Sequence, residues 1–162
     1  FEQVVSQLTI IMCFQSLILD MAGNVGTQSL AVTIRVLMDE SLTGKQKLEL
    51  VWKEMRIGFS NGVILGVLSF LSIGQAVGSG DRKRASACTG NTVTLFLGLS
   101  LVLAMVISGA VGTCIPLFFK KIHVDPAVAS GPLITTINDL VAVISYYGLC
   151  GLLLVGVLHL AG

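Results

Sequence analysis

Four long runs of apolar residues, separated by short polar stretches, organise this chain: Val4–Leu37, Ile57–Val77, Thr92–Leu117 and Pro132–Leu160. Each reaches or exceeds the ~20 residues that carry an α-helix across a bilayer. The runs are continuous rather than short and alternating, which argues against the strands of a membrane barrel. Between the first two lies Met38–Arg56, in which Lys45–Arg56 sets Leu48, Val51, Trp52 and Met55 on one helical face. That pattern predicts a short interfacial helix leading into the second span, with Trp52 at headgroup level. The expected fold is all-α: a polytopic membrane helical bundle with four long spans and a short interfacial amphipathic helix.

Composition strengthens this reading. The 162 residues are 54% hydrophobic and 12% charged, against roughly 25% charge in soluble domains. A net charge of +1 gives no basis for nucleic-acid binding; the expected surroundings are membrane lipid. Arg35, Lys45, Lys47, Lys53, Arg56, Lys120 and Lys121 fall on one side of the spans, and Arg82, Lys83 and Arg84 on the other. Seven against three favours the first set as cytoplasmic, so the first span is entered from outside. The chain opens on Phe1 without a basic leader, and we expect a fragment of something longer, residues 1–162 being one transmembrane ion-pathway domain. Cys13, Cys88, Cys114 and Cys150 lack CxxC spacing and read as small packing residues.

The second and third runs look like packing helices. Gly58, Gly62 and Gly66 repeat every four residues, as do Gly90, Thr94 and Gly98, and Ser108 with Gly112. Small residues at that spacing let helices approach closely in lipid. Asn61 and Gln75 read as packing or interfacial polar groups.

Candidate chemistry lies in the first and fourth runs. Asp20 and Asp139 interrupt stretches otherwise apolar enough to span, and an acid in hydrocarbon is costly enough to imply a function. Asn24 and Gln28 follow Asp20 at i+4 and i+8, and Thr135 and Thr136 precede Asp139, so each acid belongs to a polar stripe. Gly23 and Gly26 remove bulk beside Asn24, Thr27 and Gln28, admitting another helix or a hydrated ion. Asp125 can cap a helix whose first residue is Pro126. Pro132 then predicts a break one to two turns before Asp139, freeing carbonyls near Val128 and Ala129. By the helical rise, Asp139 lies roughly 10 Å beyond Pro132, and Gln28 and Asn24 roughly 15–21 Å from Met38. The two stripes can therefore meet at one level.

At these residues the chain resembles the MgtE family of magnesium channels and transporters. The stretches that carry the resemblance are Ala22-Gly-Asn-Val-Gly-Thr-Gln-Ser29, Ile34-Arg-Val-Leu37, Trp52-Lys-Glu-Met55, Val124-Asp-Pro126 and Pro132-Leu-Ile-Thr-Thr-Ile-Asn-Asp139. The resemblance implies a multi-pass protein of a bacterial cell membrane. It also implies a homodimer whose ion pathway runs between subunits, lined by the second and fifth helices of a five-helix domain. Those two are the first and fourth runs here. The family's pore aspartate matches Asp139, and its aspartate before proline at the cytoplasmic mouth matches Asp125. The family's first membrane helix and its cytosolic N and CBS domains would lie upstream.

The expected activity is movement of hydrated Mg²⁺ through a dimeric pore lined by the Asp20–Ser29 and Asp125–Asp139 helices. Magnesium holds its water tightly, so recognition through its hydration shell is the economical mechanism. Asp139 from each subunit would accept hydrogen bonds from that shell, with Asn24, Thr136 and freed carbonyls completing the ring; Asp20 is a pore-lining or interhelical acid. The alternative is a proton- or sodium-coupled divalent-cation transporter. An aspartyl protease is disfavoured because Asp20 follows Leu19 and Asp139 follows Asn138, outside YD and GxGD contexts, and a serine hydrolase is weaker still, its candidate base His159 lying at the end of the fourth run. No enzymatic activity is expected.

Overall fold

The computed structural model describes residues 2–39, 42–77, 83–129 and 132–156. It contains four α-helices and one 3₁₀ turn: α1 (Glu2–Asp39), α2 (Gly44–Val77), α3 (Lys83–Lys121), the turn Pro126–Ala129, and α4 (Pro132–Gly156). Side chains of Cys13, Gln75, Cys88, Gly90, Thr94 and Cys150 lie outside what is described, as do Arg82, Gly131 and His159 entirely.

Local chemistry sets the helix ends. At the start of α2, Gln46 reaches back so that its Oε1 accepts the Thr43 backbone N–H at 2.8 Å and the Thr43 hydroxyl at 2.8 Å. This is the arrangement by which the glutamine of a T-x-x-Q sequence satisfies an orphan donor at a helix start. The end of α3 closes with Val124 N–H on the Phe119 carbonyl (3.0 Å) and His123 N–H on the Lys120 carbonyl (3.3 Å). His123 adopts φ 60° to make that closure, a left-handed cap usually given to glycine. Lys120 Nζ donates to the Leu37 carbonyl at 2.5 Å, joining the C-terminal ends of α1 and α3; a cation there also complements the helix dipole.

The predicted interfacial helix is not a separate element. Lys45–Arg56 and the run after it form one unbroken helix, α2, because nothing between Gly44 and Val77 breaks the hydrogen-bond ladder. Of the apolar face picked out from the sequence, Leu48 (71% exposed) and Trp52 (62%) point outward, while Val51 and Met55 are half-buried. What α2 buries is Leu50, Glu54, Gly58, Gly62 and Gly66, spaced by four.

Helix α3 is the hub. It packs against α2 most extensively, then α1, then α4, whereas α1 and α2 barely meet. The α2–α3 seam is glycine-built: a Cβ on Gly62 would come within 2.6 Å of Val102 Cα, and one on Gly58 within 2.6 Å of the Met105 carbonyl oxygen. Farther along, Gly66 and Gly98 face each other, a Cβ on Gly66 falling 3.4 Å from Gly98 Cα. Such approach maximises dispersion contact between helices. On the other side, Ile18, Ala22 and Val25 of α1, Leu97, Leu101, Ala104 and Met105 of α3, and Ala142 and Tyr146 of α4 form the core.

Among the described residues, Leu97–Lys121 within α3 is the one stretch both long and apolar enough to cross a membrane. Helices α1 and α4 carry the polar groups of interest: Asp20, Asn24 and Gln28, and Thr135, Thr136, Asn138 and Asp139, respectively. Cys114 sits on that apolar stretch but is exposed rather than packed inside.

Candidate functional site

The register between α1 and α4 is set by two contacts. Asn138 packs into the space over Gly26, where a Cβ on the glycine would overlap its amide. Farther along, the Tyr147 hydroxyl donates to Gln15 Oε1 at 2.6 Å. In an antiparallel pair with that register, Asp139 stands at the level of Asn24 and Val25. Ile134 and Leu30 pack together one turn below, against Ile34, Ile115 and Phe119.

Helix α1 divides its surface sharply. Ala22, Val25, Gly26, Ser29 and Thr33 are buried, while Asp20, Asn24, Gln28 and Arg35 form an exposed polar stripe. Asn24 Nδ2 donates a long bond of 3.5 Å to Asp20 Oδ2, so the two adjoin along the helix. The Thr27 hydroxyl returns to the Gly23 carbonyl at 2.9 Å. On one flank of the stripe, Asn24 and Gln28 join Asn61 of α2 around a cleft of ≈ 320 Å³, otherwise lined by Met21, Val25, Ile64, Leu65 and Met105. On the other flank runs α4.

On α4, Asp139 is half-buried, and Thr135 and Thr136 are exposed. The Thr136 hydroxyl donates to the Pro132 carbonyl at 2.8 Å. Asp125 does cap the short turn, its Oδ1 accepting the Ala127 N–H at 2.9 Å. Pro126–Ala129 is a 3₁₀ turn, and α4 has Pro132 as its first residue, where a missing N–H is tolerated.

The structure therefore brings Asp20 next to Asn24 and sets Asp139 at their depth, while Asp125 stands apart at the α3–α4 connection. Among the described residues no three His, Cys, Asp or Glu side chains gather closely enough to hold a metal ion. The described part of one copy of the chain offers no bare-metal cage.

Two buried polar groups escaped the sequence reading. Glu54 is only 2% exposed, and the Ser29 hydroxyl donates to its Oε2 at 2.8 Å. Its backbone carbonyl lies against Gly109 of α3, so this carboxyl side chain marks a three-helix junction. The spacing Leu50-Glu54-Gly58-Gly62 was the available signal, masked by the more conspicuous Leu48 and Trp52. Glu54→Leu leaves the Ser29 hydroxyl without its acceptor, and Ser29→Ala leaves the carboxyl without its donor. Each should lower stability by about 2 kcal/mol. In detergent melts the double variant should regain at least half of the summed loss; strictly additive losses would show that the pair is not coupled.

The second is Asn138, 0% exposed, whose amide nitrogen and oxygen have no hydrogen-bond partner among the described residues. A buried amide left in that state costs roughly 1–3 kcal/mol. Ser108 of α3, which borders the same space over Gly26, donates its hydroxyl to the Ala22 carbonyl.

Comparison with known proteins places the chain in a family. The family model MgtE, described as a divalent cation transporter, matches residues 15–149. The magnesium transporter MgtE of Bacillus subtilis is 37% identical over 149 residues, 92% of this chain and 31% of the relative. Proteins of the same name from Enterococcus faecalis and Thermus thermophilus are 33% and 30% identical, over 94% and 95% of this chain and 31% and 32% of the relatives. The chain thus spans about a third of the length of the curated relatives it matches. It belongs to the MgtE family of divalent cation transporters.

Proposed function

We propose that this chain is the membrane part of a transporter that moves hydrated Mg²⁺ through a two-fold pathway lined by α1 and α4. The observation that carries this reading is Asp139, a half-buried acid in an apolar helix, level with the uncovered Asp20–Asn24–Gln28 stripe of α1. Polar side chains on helices immersed in lipid need cover from water or protein. A second copy related by a two-fold axis would enclose both stripes and supply a second Asp139. In this arrangement all four helices span the bilayer, with Arg35, Lys53, Arg56 and Lys120 toward the cytoplasm.

Mg²⁺ requires octahedral geometry at 2.0–2.1 Å and dehydrates reluctantly. A pair of carboxylates cannot replace six waters, but it can accept hydrogen bonds from them. Asp139 and its symmetry mate supply the charge; Asn24 and Gln28, as neutral carboxamides, accept from further water protons without trapping the ion. Thr136, its hydroxyl proton committed to the Pro132 carbonyl, presents lone pairs only, which suits a shell of outward-pointing hydrogens. Asp125 adds negative charge where the α3–α4 connection meets the cytoplasmic side. Selectivity then follows from pathway width and charge together. The names of the relatives support magnesium as the cargo.

A substitution-inert hexaammine cation tests outer-sphere recognition. It matches hydrated magnesium in size and outward hydrogens and carries higher charge, so it should block Mg²⁺ flux competitively and lose at least about tenfold in potency with Asp139→Asn. Absence of block, or a metal within ~2.1 Å of an Asp139 oxygen, would exclude it. Flux that follows an imposed proton or sodium gradient instead of voltage would assign coupled transport.

A further inference from the structure

Asn138 fills the space over Gly26 so closely that no side chain could be added to that glycine without displacing the amide. It is wholly buried and, among the described residues, neither of its amide atoms has a partner. An apolar side chain of similar bulk would pack there without stranding a donor and an acceptor, so packing alone does not explain an asparagine. What distinguishes the position is its neighbour. Successive residues on an α-helix point about 100° apart, so whatever fixes the direction of residue 138 fixes that of Asp139. The amide is planar and short, and the space it enters is bounded by backbone: Gly26 of α1, itself pressed by Gly112 of α3, with Ser108 alongside. Backbone cannot yield as a flexible side chain would. The Ser108 hydroxyl donates to the Ala22 carbonyl and lies beside the seat without bonding the amide.

We infer that Asn138 is a positioning residue: seated over Gly26, it fixes the axial rotation of α4 and thereby the direction in which Asp139 points. The inference rests on the pathway reading only for its consequence in transport; the geometric claim can be tested separately. In a full-length protein whose native cysteines are replaced, Asp139→Cys reports direction through its rate of modification by a positively charged methanethiosulfonate. Adding Gly26→Ala, which forces the amide out, should change that rate at least tenfold. Adding Asn138→Ala to that background removes the amide and leaves the methyl only the rotatable Ser108 hydroxyl, 2.6 Å away, to displace, so the rate should return to within threefold of the parent. Asn138→Ser, smaller but polar, should shift the rate less than Asn138→Ala does. With Asp139 intact, Gly26→Ala should raise the Mg²⁺ concentration for half-maximal flux at least fivefold, and the double variant should reverse most of that rise. A role in packing alone predicts less folded protein with unchanged modification rate and unchanged half-saturation in what survives, and that result would overturn the inference. If the modification rates behave as stated but Asp139→Asn transports normally, the positioning stands and the pathway reading fails.

Discussion

Asp139→Ala is expected to abolish Mg²⁺ flux in liposomes reconstituted with the full-length protein, while leaving expression and assembly intact. At an effective dielectric of ~20, a unit charge ~5 Å from a divalent centre is worth roughly 6–7 kcal/mol before screening. Loss of at least a hundredfold in flux, equivalent to about 2.7 kcal/mol, is therefore a modest expectation. The same change should not unfold the protein, because a half-buried carboxylate in an apolar helix costs stability rather than conferring it. Asp139→Asn, which keeps the shape and loses the charge, separates the two contributions: flux should fall nearly as far as with alanine. Flux at the parental level from purified Asp139→Ala protein would remove Asp139 from the pathway. Asp20→Asn should be milder, since Asp20 is exposed on α1 and already shares its carboxylate with Asn24.

Gly112→Val is expected to be the most damaging change to the fold itself. A Cβ at Gly112 overlaps the backbone carbonyl of Gly26, and neither helix has a flexible side chain there to move aside. Overpacking against a side chain typically costs about 1–3 kcal/mol, and a backbone-to-backbone overlap should exceed ~3 kcal/mol. Where the neighbouring atoms stand farther off, the outcome changes sign. At Gly66 and Gly98 an added Cβ would meet its nearest atoms at 3.4 and 3.7 Å, ordinary contact distances. Alanine at either should be nearly neutral, and helix propensity alone offers up to about 1 kcal/mol in its favour. Melting of the purified variants in one detergent checks the ranking; Gly112→Val melting with the parent protein would show that the α1–α3 approach is looser than described.

How far the sequence revealed this structure depends on the period and depth of each signal. The four helices were legible because apolar runs of that length leave little choice, and the α3–α4 interruption because Pro126 and Pro132 each remove a donor. The seam of Gly58, Gly62 and Gly66 was also legible, since small residues every fourth position mark close approach. The separate interfacial helix was not real, and the error has a clear cause. Leu48, Trp52 and Met55 form the more conspicuous apolar stripe, but Leu48 and Trp52 turn away from α3, on the outer side of α2. The inner side was marked by Glu54 and the glycines. The same inversion hid the burial of Ser29 and Asn138, which are polar and inside while many leucines of α2 and α3 are exposed. Asp20, Asn24 and Gln28 were read as one stripe and are one, but the cleft that Asn24 and Gln28 share with Asn61 depends on how α2 leans on α3, which no local pattern encodes.

The hub position of α3 also bears on how the molecule is made. Helices are synthesised in order, and earlier segments are available as partners before later ones emerge. By the time α4 follows, α1 and α3 can already be packed together, with Gly26 and Gly112 in contact and the space above Gly26 open. The helix carrying Asn138 and Asp139 therefore meets a waiting groove. Asp139 is thus placed after Asp20, Asn24 and Gln28, against a surface that α1 and α3 have already formed.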